Sequence, residues 1–288
     1  MMKVKKVAVL GAGLMGHGIA QVSAQNAKYE VNLRDIKQEF IDSGMGMIKG
    51  SLQKFVSKGT LSEKEMNETL GRIHPMLDLK KAVADADLVI EAIPENIELK
   101  KSVWREVDKY AKETAIFASN TSSISITEMS SATRRSEKFC GMHFFNPPQL
   151  MNLVEIVRGA ETADETVKIV ADVAKKMGKE TVLCKKDAPG FIVNRVLIPA
   201  LNEAVFLVYE GIADPEDIDK AIKLGLNWPM GPLTLLDYMG LDTTLAITEV
   251  LQKELGDKYS ACPLLRQMVR SGLLGRKTGK GFYNWEKK

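Results

Sequence analysis

The sequence predicts an α/β protein, with a helix-covered parallel sheet followed by an all-helical domain. Three observations predict it. Through the first half, short apolar runs alternate with amphipathic helical stretches, as parallel strands and their crossover helices do. A glycine-rich turn, Gly11-Ala12-Gly13-Leu14-Met15-Gly16, stands directly between one such run and a helical stretch. Beyond about Lys186 the alternation stops and largely apolar helical stretches take over.

In chain order, residues 6–10 read as the first strand, 13–25 as a helix, and 31–34 as the second strand, ending at Asp35. Residues 38–70 read as a helical insert, two helices joined at Gly59-Thr60, longer than a plain βαβ crossover needs. Ser62 and Glu65 form the capping box that opens its second helix. His74-Pro75 reads as a strand end. Residues 87–93, 115–119, 138–148 and 153–157 supply further strands, the third of these ending in a proline turn. Pro189-Gly190 then breaks the chain. Residues 191–210 form a long apolar helix, expected to bend at Pro199, where a backbone donor is missing. Asp214-Pro215-Glu216-Asp217 is a helix start, an acidic N-cap followed by proline and more acid, and Gly231-Pro232 opens another helix. The predicted domains are therefore 1–186, with the insert at about 38–70, and 187–288.

The 288 residues carry 40 Lys+Arg against 37 Asp+Glu, a net charge of +3. At 45% hydrophobic and 27% charged residues, the chain can build and cover a sizeable core, which excludes global disorder. So small and dispersed a basic surplus argues against nucleic-acid binding. No apolar run reaches about 18 residues, so no membrane span is expected, and the N-terminus lacks the apolar stretch and cleavage site of a signal peptide. Cys140, Cys184 and Cys262 are far apart, odd in number and without CxxC spacing. Neither a disulfide framework nor a metal site is expected, which fits a reducing cytoplasm.

The need for glycine in the turn is steric. Gly11 permits the tight turn, Gly13 lets backbone approach a pyrophosphate, and Gly16 lets helix and strand pack closely. The helix N-terminus then offers N–H groups and a partial positive charge to the phosphates. Asp35, nineteen residues after Gly16, is placed to accept bonds from an adenosine ribose diol. Strand, loop, helix, strand and terminal acid together read as a Rossmann-type dinucleotide site. The carboxylate would repel a 2′-phosphate, so NAD is favoured over NADP. Arg34 is able to serve a 2′-phosphate, but strand alternation points it away from Asp35.

Three histidines are present. His143 lies near a strand end beside a loop, where an open α/β sheet keeps its ligands. Taken alone it reads as a core histidine bonded to backbone. Glu155 changes that reading, because it interrupts an otherwise apolar strand and a buried carboxylate is costly unless paired. The neighbouring histidine is its natural partner. A Glu–His pair orients the ring, fixes its tautomer and favours the imidazolium after proton uptake. That is the apparatus for taking a proton from an alcohol while hydride leaves its carbon. The alternative for Glu155 is an exposed edge-strand position. His17 reads as a neighbour of the pyrophosphate, and His74 has no assigned role. Ser119-Asn120-Thr121-Ser122-Ser123 reads as a turn with a helix cap, or as polar groups for a substrate. Asn194, an amide on an apolar helix, needs partners, a ligand among the options.

Together these segments resemble the 3-hydroxyacyl-CoA dehydrogenase family, including its short-chain 3-hydroxybutyryl-CoA members. The resembling residues run in family order. They are the glycine loop, Ser119-Asn120-Thr121-Ser122-Ser123, Met142-His143-Phe144-Phe145-Asn146-Pro147-Pro148, Leu153-Val154-Glu155-Ile156-Val157, Pro189-Gly190-Phe191-Ile192-Val193-Asn194-Arg195, Pro229-Met230-Gly231-Pro232 and Gly275-Arg276-Lys277-Thr278-Gly279. The resemblance implies that His143 is the general base and Glu155 its orienting partner. It implies that Ser122 and Asn194 hydrogen-bond the reacting end of the substrate. With the glycine loop (Gly11, Ala12, Gly13, Leu14, Met15, Gly16), it places Asp35, Glu95, Lys100, Ser122 and Lys277 at NAD, and Ser51 and Lys58 at the CoA portion. It also implies an (S)-3-hydroxyacyl-CoA substrate and a stand-alone rather than fused enzyme. With the surplus of apolar C-terminal helix, it implies a homodimer. Two rivals stand beside it. A dehydrogenase of a free hydroxy acid or sugar acid would need a cationic clamp for the carboxylate. A non-catalytic dinucleotide-binding protein would have no use for a buried Glu beside a His.

Overall fold

The computed structural model describes residues 3–286. They divide into two compact units, the first ending at Ala188 and the second starting at Pro189.

In the first unit the strands are β1 (Lys6–Leu10), β2 (Glu30–Arg34), β3 (Ile73–Met76), β4 (Leu88–Glu91), β5 (Ile116–Ser119), β6 (Phe139–Phe144), β7 (Leu153–Val157) and β8 (Glu180–Cys184). Its helices are α1 (Gly16–Gln25), α2 (Gln38–Ser57), α3 (Glu63–Gly71), α4 (Leu79–Val83), α5 (Ile97–Tyr110), α6 (Ile126–Ser130) and α7 (Asp164–Lys176). The strands form one sheet in the order β3-β2-β1-β4-β5-β6-β7-β8. Every neighbouring pair is parallel except β6 with β7. Strand order reverses between β1 and β4, so the C-terminal ends of β1, β4, β5 and β6 share one edge. Such a sheet is covered on both faces, which is why β4, β5 and β6 are buried throughout. One side of the core gathers Val7, Val9, Ile19, Leu33, Ile90, Met142 and Ile156. Elsewhere Trp104 of α5 meets Phe117 and Phe139 at ring-centroid distances of 5.2 and 4.7 Å.

The helical insert forms as expected. α2 turns Ile41, Gly44, Ile48 and Leu52 inward at helical spacing. The capping box of α3 is complete, with Glu65 N donating to Ser62 Oγ at 3.2 Å and Ser62 N to the Glu65 carboxylate at 2.9 Å. Two features differ from the sequence reading. α1 starts at Gly16 rather than Gly13, because residues 13–15 are used in the turn. β8 was not anticipated. It lies at the sheet edge with Val182 and Leu183 at 39% and 40% exposure, so it lacks the buried apolar signature of the inner strands.

The second unit is helical: α8 (Val193–Tyr209), α9 (Pro215–Leu226), α10 (Pro232–Met239), α11 (Leu241–Leu255) and α12 (Pro263–Arg270). α8 starts later than the apolar pattern because Phe191 sits at φ 50°, outside the helical region. It continues as one helix through Pro199. Proline opens α9, α10 and α12, where its missing N–H is no loss. Buried Asp237 pins the C-terminal segment, accepting from Phe282 N, Tyr283 N and Trp285 Nε1 at 3.0, 2.9 and 2.8 Å. Among the described residues no helix is long and apolar enough to cross a membrane. The three cysteines are buried thiols, and burial pushes the Cys140 thiol up to about 12, so it is inert.

Candidate active site

The glycine loop follows β1 on the edge where the six parallel strands β1 to β6 end. Gly11 has φ 100°, and a Cβ there would lie 2.4 Å from Ala92 O. At Gly16 a Cβ would come within 1.8 Å of Gly11 O, whereas at Gly13 it would meet only open space. The loop is thus closed toward the protein and open toward a ligand. α1 has no side-chain cap and no acidic residue in its first turn, so its N-terminal dipole is left for an anion. These features fit the pyrophosphate of a dinucleotide. The insert borders the loop, since a Cβ on Gly44 would lie 2.6 Å from Ala12 O.

Asp35 accepts from Ala12 N at 2.7 Å and from Ile36 N at 2.6 Å. It braces the loop, and a half-buried carboxylate retains lone pairs for a ribose diol. Arg34 donates from Nε to Leu77 O at 3.2 Å, away from Asp35 as strand alternation requires.

His143 and Glu155 face each other directly across the β6–β7 ladder. His143 Nδ1 lies 2.7 Å from Glu155 Oε2, with the two residues 5% and 0% exposed. Glu155 is not an exposed edge residue, because β8 covers the far side of β7. Where a neutral imidazole faces an ionised carboxylate, which only accepts, Nδ1 is the donor and Nε2 the acceptor. Phe145 packs against the imidazole at 4.7 Å between centroids. Asn120, from the turn after β5, accepts from Phe144 N at 2.8 Å and ties that turn to the end of β6.

A second cluster sits where β4 and β5 end. Glu95 accepts from Thr121 Oγ1 and, at 3.1 and 3.3 Å, from Ser122 N and Ser123 N. It also pairs with Lys100 at 3.1 Å. Burial pushes the Glu95 carboxyl up, but the Lys100 ammonium and the hydrogen bonds together hold it below the usual carboxylate range. Lys100 is 1% exposed and also donates to Glu91 at 2.6 Å and Ile93 O at 3.2 Å. Its ammonium is engaged by the protein, on Glu91, Ile93 O and Glu95. Glu91, the partner of Ser119, was missed in the sequence, although the signal existed: like Glu155, it interrupts an apolar strand.

The remaining predicted residues are more dispersed. Ser51 is half-buried on α2, and Lys58 is exposed at its C-terminal cap. Asn194 is buried in the first turn of α8. Lys277 lies in the Gly275–Gly279 turn, paired with Asp242. His17 Nδ1 contacts Gly13 O at 2.8 Å inside the glycine loop. His74 pairs with Glu30 on the surface at 2.6 Å.

Comparison with known proteins matches both units of the chain. The NAD-binding domain of 3-hydroxyacyl-CoA dehydrogenase matches residues 6–188, and the C-terminal domain of the same enzyme matches 190–285. The chain is 53% identical to a probable 3-hydroxybutyryl-CoA dehydrogenase of Deinococcus radiodurans, over 97% of this chain and 100% of the relative. It is 47% identical to a 3-hydroxybutyryl-CoA dehydrogenase of Bradyrhizobium diazoefficiens, over 98% and 96%. The crystal structure of an (S)-3-hydroxybutyryl-CoA dehydrogenase from Ralstonia eutropha superposes with a TM-score of 0.94 at 43% identity, over 99% of this chain and 100% of that one. With both of its units matched and a cofactor loop that fits NAD, the chain belongs to the 3-hydroxyacyl-CoA dehydrogenase family.

Proposed function

We propose that the chain catalyses the reversible, NAD-dependent oxidation of (S)-3-hydroxyacyl-CoA to 3-oxoacyl-CoA, with short acyl groups such as 3-hydroxybutyryl. The observation that carries the reading is the buried His143–Glu155 pair, held face to face on the sheet edge that bears the cofactor loop. NAD supplies the hydride acceptor when bound. His143 Nε2 takes the hydroxyl proton as the C3–H bond breaks and the C3 carbonyl forms. Glu155 holds the ring in the required tautomer and offsets the imidazolium charge. Ser122 and Asn194 hydrogen-bond the oxygens on which charge develops, as fixed dipoles do best in a shielded site. Asp35, Glu95 and Lys277 serve the cofactor, with Lys100 acting through Glu95. Ser51 and Lys58 serve the CoA portion.

The assembly we propose is a homodimer formed through the second unit, where Leu224, Leu226 and Ile212 are 76%, 61% and 64% exposed. Three thiols and no disulfide suit a cytoplasmic enzyme. The deciding experiment mixes the protein with acetoacetyl-CoA and NADH and follows NADH absorbance. Rapid loss is expected, together with far higher reverse activity on 3-hydroxybutyryl-CoA than on free 3-hydroxybutyrate. Equal activity on the free acid would transfer the reading to a hydroxy-acid dehydrogenase. No turnover with either would leave a dinucleotide-binding protein.

A further inference from the structure

The reaction above uses Glu95 but leaves idle the acid behind it. Glu91 closes β4 and is fully buried after Leu88, Val89 and Ile90. An acid in that place requires partners. It has three, all donors: Lys100 Nζ at 2.6 Å, Ile93 N at 2.8 Å and Ser119 Oγ at 2.7 Å. Donors on both oxygens suit a carboxylate, which only accepts. Lys100 divides its ammonium between Glu91 and Glu95. Two carboxylates against one ammonium leave one net negative charge, and the more exposed end of the cluster is Glu95, which accepts from Ser122 N of the turn after β5.

The cluster borders the cofactor loop, because Ala92, next to Glu91, stands against Gly11. Asp35 places the adenosine half of the dinucleotide on the β2 side of β1. In a doubly wound sheet the other half crosses the switch point, toward the ends of β4 and β5. The nicotinamide ring is cationic when oxidised and neutral when reduced, so a net charge there distinguishes the two forms.

We infer that Glu91 is a positioning residue acting through Lys100: by sharing the ammonium, it leaves Glu95 facing the nicotinamide half with net negative charge, and so favours oxidised over reduced cofactor. The inference rests on the NAD site as read above and on no part of the acyl-CoA reading.

The test measures dissociation constants of the full chain for NADH, by fluorescence, and for NAD+, by displacement. The proteins are wild type, Glu91→Gln, Lys100→Met and the double variant. Counting the three groups, the double variant loses one charge of each sign and keeps the wild-type net charge, whereas each single variant moves it in an opposite direction. One unit of charge at nicotinamide distance, behind a partly screened surface, corresponds to roughly tenfold in a binding ratio. Glu91→Gln is expected to weaken NAD+ relative to NADH by about that factor, Lys100→Met to shift the ratio the other way, and the double variant to restore it. A purely structural role would weaken both cofactors equally. Should Glu91→Gln fail to fold, Lys100→Met and the double variant still read the ratio. An NAD+/NADH ratio that stays at the wild-type value in the single variants overturns the inference. Wild-type protein that binds neither cofactor overturns it together with the NAD site, whereas a shifted ratio without acyl-CoA turnover upholds it and rejects only the substrate reading.

Discussion

At the scale of single residues, the proposed chemistry rests on one imidazole and one carboxylate. His143→Ala is expected to lower kcat by ~10²–10⁴-fold, the usual worth of a general base, with NADH affinity unchanged in a fluorescence titration. Retained turnover would move the base elsewhere. In Glu155→Gln the imidazolium loses its counter-charge and releases its proton more readily. Oxidation needs the neutral ring, so the rate should begin to rise at lower pH than in wild type while its plateau falls. An unshifted profile in stopped-time assays across the pH range would reject the pair as a functional unit. Asp35→Ala should narrow the preference for NAD over NADP, measured as the ratio of kcat/KM values. These residues were legible because each breaks a pattern: an acid inside an apolar strand, or an acid at a strand end after a glycine turn. Glu91 breaks the same pattern as Glu155. It escaped because its partners, Lys100 and Ser119, sit on a helix and another strand, and no local spacing in the chain brings them together.

At the scale of elements, the insert α2–α3 was legible from its capping box and helical spacing, and its contact with the glycine loop through Gly44 was not, since that is a tertiary approach. If Lys58, at the end of α2, meets the CoA nucleotide, Lys58→Ala should raise KM for acetoacetyl-CoA with little change in kcat, the mark of uniform binding. A truncated thioester without the nucleotide should be indifferent to the change, and added salt should shrink the effect. Equal KM changes on both substrates would remove Lys58 from the CoA site. The loop between β4 and α5, which carries Glu95, offers a pH test. Glu95 is held below the usual carboxylate range despite its burial, chiefly by Lys100. A depressed acid contributes stability above the ordinary carboxylate range and loses it as pH falls through the lower, folded-state value. Acid titration of wild type should therefore cost more stability than the same titration of Glu95→Gln, as read by thermal unfolding at descending pH. Parallel losses would place the acid sensitivity elsewhere.

At the scale of the whole molecule, the change from alternating strands to continuous helices announced two kinds of architecture, because a parallel sheet needs crossovers and a helical unit does not. β8 was hidden by the same physics. An edge strand needs only half its side chains buried, so its pattern is faint. The crossover helices α4, α5 and α7 take their place from the strands they connect. If the second unit carries a dimer interface on α9, Leu224→Asp with Leu226→Asp should convert the sedimenting species to monomer with the far-UV spectrum retained. An unchanged sedimentation coefficient would exclude α9 from that interface.

The antiparallel pairing of β6 with β7 has a consequence for how the chain reaches its native state. His143 and Glu155 are 12 residues apart, whereas Val7 meets its β4 neighbour Leu88 across 88 − 7 = 81 residues. Loop-closure entropy grows with the logarithm of separation, so the nearer pair is favoured by about 1.7 kcal/mol. The two side chains proposed to carry the proton transfer are thus joined by one of the sheet's most local contacts. A chain that has formed only its β6–β7 ribbon already has them opposite one another, before the cofactor edge exists. Inserting a flexible stretch between Phe145 and Asn152 that doubles the connection would add only ~0.6 kcal/mol of closure cost. Refolding followed by recovery of activity should accordingly tolerate that insertion, whereas one of equal length placed inside α1 or β2, between the glycine loop and Asp35, should abolish recovery because it breaks an element that positions Asp35 against Ala12 N.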